Sequence, residues 1–119
     1  MTATTKALET LADKLPAVIA SQKEILAAKT REMQELKAAG LIYAKPHMRA
    51  GKYFYLIFPS RNGERERRYV GADPKKIDEA KAAMRRAVEY DRLAAEVRGL
   101  EQRLARGLDS LQSALTWLH

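Results

Sequence analysis

The chain has 119 residues, with 22 Lys and Arg against 15 Asp and Glu, a formal net charge of +7 and 46% hydrophobic residues. With no Cys it builds no disulfide, no thiol nucleophile and no Cys-ligated zinc, and 2 His leave almost no material for a metal site. The apolar content is too high for a disordered tail, and no apolar run approaches a secretory signal or the roughly 20 residues of a membrane span, so the expectation is a soluble, cytoplasmic, non-membrane protein.

Residues 1–40 read as a helical arm. Leu8, Leu11, Leu15, Val18, Gln22, Ile25, Lys29, Glu32 and Leu36 follow a 3-4-3-4 spacing, which is a heptad seam. Leu15, Ile19, Leu26, Met33 and Leu36 widen that face. Pro16 lacks an N–H and crowds the preceding turn, so a break or kink near residue 15 is predicted, with the stronger helix from Pro16 to Ala39. Gly40 suits a left-handed cap at its end.

Residues 41–72 read as a basic β-hairpin. Tyr53 to Phe58 is aromatic and branched, Asn62-Gly63 carries the signal of a type I′ turn, and Arg65 to Val70 is the return strand. Leu41 to Ala44 is a candidate third strand, and Pro46 and Gly51 punctuate the loop between. With Asn62 and Gly63 as the turn, Arg61 faces Glu64 and Phe58 faces Arg67. One face then holds Phe54, Leu56, Phe58, Arg65, Arg67 and Tyr69, and the other Tyr53, Tyr55, Ile57, Arg61, Arg68 and Val70. A slip of one residue exchanges these faces, and Pro59 is the place for a bulge.

Residues 73–119 read as a long C-terminal helix, with Asp73 as N-cap and Pro74 as first helical residue. A 3-4 repeat runs through Leu93, Val97, Leu100, Leu104, Leu108, Leu111 and Leu115. The seam shifts by one residue at Gly107, where a break and a final short helix over 108–118 are predicted. Trp117 reads as a packing anchor for the helix end. The fold class expected is therefore mostly α with a small antiparallel hairpin, a single domain. A long antiparallel helical hairpin or coiled coil would carry a two- or three-stranded sheet at one end. Leu93, Val97, Leu100, Leu104, Leu111 and Leu115 are the candidate residues of a homodimer built by the helices.

The charge is not evenly spread. Residues 41–76 hold nine bases (Lys45, Arg49, Lys52, Arg61, Arg65, Arg67, Arg68, Lys75, Lys76) against Glu64, Glu66 and Asp73, a local net of +6. Six of the eight aromatics lie there too: Tyr43, Tyr53, Phe54, Tyr55, Phe58 and Tyr69. Arg and Lys neutralise phosphates while Tyr can pack on sugar or base, so Arg49, Lys52, Tyr53, Tyr55, Arg61, Arg65, Arg67, Arg68, Lys75 and Lys76 are the candidate nucleic-acid-binding residues. Protection of an exposed strand edge and attraction of an acidic protein are the competing explanations of the same charge. His47, alone among Lys45, Pro46, Met48 and Arg49, reads as a loop residue. No Gly-rich phosphate loop, His-Glu-x-x-His motif or Ser nucleophile context is present, so the chain reads as a non-enzyme with no cofactor and no small-molecule substrate.

Residues 51–92 carry a resemblance. Gly51-Lys52-Tyr53-Phe54-Tyr55-Leu56, then Asn62-Gly63, then Arg67-Arg68-Tyr69-Val70-Gly71 and a long charged helix resemble small helix, β-hairpin, long-helix proteins of bacterial and archaeal mobile elements, which share a Gly-x-Tyr-Tyr-Tyr-Leu hairpin. The hairpin followed by a helix is also similar to the arm-type DNA-binding domain of tyrosine recombinases. That second likeness implies a small sheet that enters the major groove. The two function classes expected are a non-enzymatic accessory or regulatory protein binding nucleic acid, double-stranded DNA first, and a coiled-coil interaction module with no nucleic-acid role.

Overall fold

The structure, a computed structural model, describes residues 2–119. The order along the chain is α1 (Ala3–Ala39), β1 (Lys45–Arg49), β2 (Tyr53–Ile57), β3 (Arg67–Gly71) and α2 (Pro74–Leu118). The fold class is as expected: mostly helical, with two long helices flanking a small antiparallel sheet in sequence. The chain divides into two compact units, one of Met33–Ala94 and one of Met1–Glu32 with Ala95–His119.

In the first unit the strands pair in the order β1-β2-β3, with β2 at the centre. Strand residues alternate between faces, so Phe54 and Leu56 point one way and Tyr53, Tyr55 and Ile57 the other. Phe54 and Leu56 are 1% and 2% exposed and pack on Ala80 of α2, with Val70, Ile77 and Met84 around them. Burial of each of these two side chains is worth about 1.5–3 kcal/mol. Ala80, Ala83 and Ala87 are small and buried on one stretch of α2: Ala80 packs on Phe54 and Leu56, and the Ala83 carbonyl accepts from the Ile42 N–H at 3.2 Å.

Local chemistry sets the ends of these elements. Asp73 caps α2 as expected: its Oδ1 accepts from the Lys75 N–H at 3.1 Å, and Pro74 starts the helix. Gly40 takes φ +108° at the end of α1. There the guanidinium of Arg86 donates to the carbonyls of Gly40 (2.8 Å) and Ala39 (3.1 Å), which would otherwise lack a partner.

Four local expectations are corrected. The break near residue 15 does not occur, because α1 runs through Pro16. Proline there removes only the bond to the carbonyl of Ala12, and both residues are exposed, so water can take that carbonyl. Neither does α2 break at Gly107, and residues 108–118 are its continuation. A third strand does exist, but it is Lys45–Arg49 and not Leu41–Ala44. Pro46 is tolerated because β1 is an edge strand, and Ala50 (φ +55°) with Gly51 (φ +64°) makes the turn into β2, closed by Lys52 N–H to Arg49 O at 3.1 Å.

The fourth correction is the register of the return strand. Asn62 (φ +53°) and Gly63 (φ +81°) form the predicted turn, and Arg61 pairs with Glu64. Beyond the turn, however, Phe58 N–H bonds Glu66 O at 2.9 Å, so Pro59 and Ser60 oppose Arg65 alone. This bulge moves the ladder by one residue: Ile57 faces Arg67, Leu56 faces Arg68 and Tyr55 faces Tyr69. The faces of β3 are therefore exchanged relative to the simple reading. Arg67 and Tyr69 join Tyr53 and Tyr55, while Arg68 joins Leu56 and lies 5.1 Å over the Phe58 ring.

Candidate nucleic-acid interface

The face of the sheet away from Phe54 and Leu56 is a grid. Direct cross-strand partners share a face. One row is Lys45, Ile57 and Arg67, and the next is His47, Tyr55 and Tyr69. Arg49 and Tyr53 make the third. Aromatic rings occupy the middle, and cations stand at the ends. Tyr55 and Tyr69 lie 5.0 Å apart between ring centroids, Tyr53 and Tyr69 6.5 Å, and His47 and Tyr55 6.4 Å. Lys52, in the β1–β2 turn, sits 5.7 Å over Tyr53.

Exposure separates this face from a core. Tyr69 is 55% exposed and Tyr53 39%, and Lys45, His47, Arg49 and Arg67 are exposed as well. Among the described residues, the ion pairs within 4.0 Å join Lys29 to Glu96 and Arg92 to Glu89, so none uses a cation of this face. The Arg92 pairing holds the Glu89 carboxyl below the usual carboxylate range. Beside the sheet, Tyr43 donates its hydroxyl to Asp91 Oδ1 at 2.9 Å. Partial burial and then this bond push the Tyr43 phenol above the ordinary tyrosine value.

The sequence-predicted residues fall into three places. Arg49, Lys52, Tyr53, Tyr55 and Arg67 gather on the open face or in its turn. Arg61 and Arg65 stand at the Asn62-Gly63 tip, beyond the paired rows. Arg68 is turned to the other face, and Lys75 and Lys76 stand on the first turn of α2, off the sheet. Lys45, His47 and Tyr69 belong to the face and were missing from the predicted set. The signal for Lys45 and His47 was their alternation with Arg49, which Pro46 disguised as a loop, while Tyr69 was assigned to the core face by the simple register. His47 is accordingly a strand residue rather than a loop residue.

The candidate oligomerisation residues also separate. Leu93 and Leu100 are covered within one chain, at 1% and 7% exposure, and Val97 is half-buried. Leu104, Leu111 and Leu115 are exposed. Trp117 is 88% exposed, so it anchors nothing within the single chain.

Along α2, beside β1 and β2, an apolar cavity of about 500 Å³ is walled by Ile42, Phe58, Met84 and Val88, with Asp91 already engaged by Tyr43. No group of three or more His, Cys, Asp or Glu among the described residues could hold a metal ion, and no helix there is long and apolar enough to cross a membrane.

By its fold and surface this is a small antiparallel sheet backed by a helix, with a cationic and aromatic open face. Compared with protein-family models, curated proteins and solved structures, the chain matches none.

Proposed function

We propose that the protein binds nucleic acid through the open face of its sheet, with double-stranded DNA as the ligand. The observation that carries this reading is the grid of exposed Lys45, Arg49 and Arg67 around exposed Tyr53 and Tyr69 and half-buried Tyr55, with no ion pair to a carboxylate at these cations among the described residues. Edge protection needs charges on the edges and leaves the exposed Tyr53 and Tyr69 unexplained. An acidic protein partner would be met by point charges and does not call for a flat aromatic centre.

Size favours the duplex. Three strands at about 4.8 Å spacing make a sheet roughly 10 Å wide, against a major groove about 12 Å wide. Seated there, the central rings meet base edges and thymine methyl groups, while the end cations reach phosphates. Arg49 and Lys52 serve one end of the sheet, and Lys45 and Arg67 the other, where Arg61 and Arg65 extend the basic surface. Phosphate contacts give affinity and position, so an accessory or regulatory role without catalysis follows.

The test is an anisotropy titration against duplex DNA, single-stranded DNA and RNA over a salt series. Log affinity for duplex should fall linearly with log salt, by roughly 0.9 per neutralised phosphate. Salt-independent or absent binding to all three overturns the reading in favour of a coiled-coil interaction module. Tighter binding to single strands overturns the choice of duplex.

A further inference from the structure

We infer that the helical unit is a docking surface for a second copy of this chain. Among the described residues of this unit, Leu100 is the one buried large apolar side chain. On α1 the stripe Leu8, Leu11 and Ile19 is 40%, 62% and 53% exposed. On α2 the stripe Leu104, Leu111 and Leu115 is 37%, 38% and 60% exposed, although Leu100 on the same stripe is covered. At 3.6 residues per turn, Leu8, Leu11 and Ile19 fall on one face of α1, and Leu100, Leu104, Leu111 and Leu115 on one face of α2. Two helices alone leave that face open.

Area and charge identify the occupant. Val18, Leu108 and Leu118, at 54%, 57% and 63% exposure, extend this apolar surface, and an interface between two copies covers about 800 Å² on each partner. The unit carries eight Lys and Arg against seven Asp and Glu. A near-neutral surface does not repel its own copy, and it offers no net charge that would select an acidic or basic partner. Two open half-bundles of this kind complete one another as four helices. The inference is independent of nucleic-acid binding, because it uses none of the sheet residues.

The experiment is sedimentation equilibrium of the full chain over a concentration series, with far-ultraviolet circular dichroism alongside. The wild type should show the mass of two chains at micromolar concentration and dissociate on dilution. Leu111→Asp with Leu115→Asp places charge in the seam and should weaken association by at least about 100-fold. Should that variant lose helicity, Leu115→Ala is the milder form and should weaken association by roughly 10-fold. A one-chain mass for the wild type at all concentrations overturns the inference, since the occupant is then a different molecule. So does a two-chain mass indifferent to both substitutions, or an assembly larger than two chains.

Discussion

The sheet and the paired helical segments both leave surface open, but with opposite chemistry. The core face of the sheet is finished within one chain, with Phe54 and Leu56 covered, and its open face carries cations and aromatic rings around Ile57. The helical segments are unfinished: Leu11 and Leu115 stay about as exposed as any surface residue, while their charges nearly cancel. A surface that is covered where it is apolar and open where it is basic suits a polyanion. One that stays open where it is apolar suits a second apolar face. The two proposed tasks rest on this difference, which composition alone would merge into one basic, helical protein.

The largest effect that can break this comparison is in the sheet core. Phe54→Ala removes the ring that packs on Ala80 and should cost about 3–5 kcal/mol of stability. Denaturant unfolding followed by tyrosine fluorescence should show that loss, together with loss of DNA binding. Self-association should survive, because the helical stripes are untouched. Loss of both properties together would mean that the two regions are one cooperative unit.

Next in size is Pro16→Ala, which acts on the other region alone. Proline inside a helix costs up to about 3 kcal/mol relative to alanine. Since α1 runs through Pro16, the substitution should raise helix stability by up to that amount. It should leave DNA affinity unchanged. A gain in affinity would contradict the separation of tasks.

Pro16 also shows where the sequence was legible. Heptad spacing located both helices, because apolar positions on one face are what a packed helix requires. Asn62-Gly63 located the turn, because both residues must take positive φ. The break at Pro16 failed because a rule for a buried hydrogen bond was applied to an exposed carbonyl. The third strand was placed a few residues early because Ala50 gives no outward sign of φ +55° and Pro46 resembles a loop. The simple register of β3 gave way to the one-residue slip at Pro59 that the sequence had left open, because two residues, Pro59 and Ser60, oppose the single Arg65. That bulge decides which arginine stands on the open face, so the fold was more legible than the composition of the face.

The open face itself can be sharpened by substituting its three cations. Lys45→Ala, Arg49→Ala and Arg67→Ala together should lower duplex affinity about 100-fold at low salt and reduce the salt slope by about 3. Arg68→Ala is the internal control, since Arg68 is turned to the helix-covered face over Phe58. It should change the slope by less than any of the three. If Arg68→Ala matches them, the bulge does not set the binding face in solution.

The smallest effect tests the seam between loop and helix inside the sheet unit. Tyr43→Phe removes the hydroxyl that donates to Asp91. Tyr43 is 46% exposed, so solvent screening reduces the worth of this bond to a few tenths of a kcal/mol. Its pH dependence is more telling than its size. The phenol keeps its proton more tightly in the folded chain than in the unfolded one. Its contribution is therefore full below the pKa of an unfolded tyrosine, near 10, and is lost as pH rises through the higher folded value. The stability difference between wild type and Tyr43→Phe should be present at about pH 8 and shrink in stronger alkali. A difference that grows with pH would show that the hydroxyl is not the donor, and that Asp91 holds the loop by some other partner.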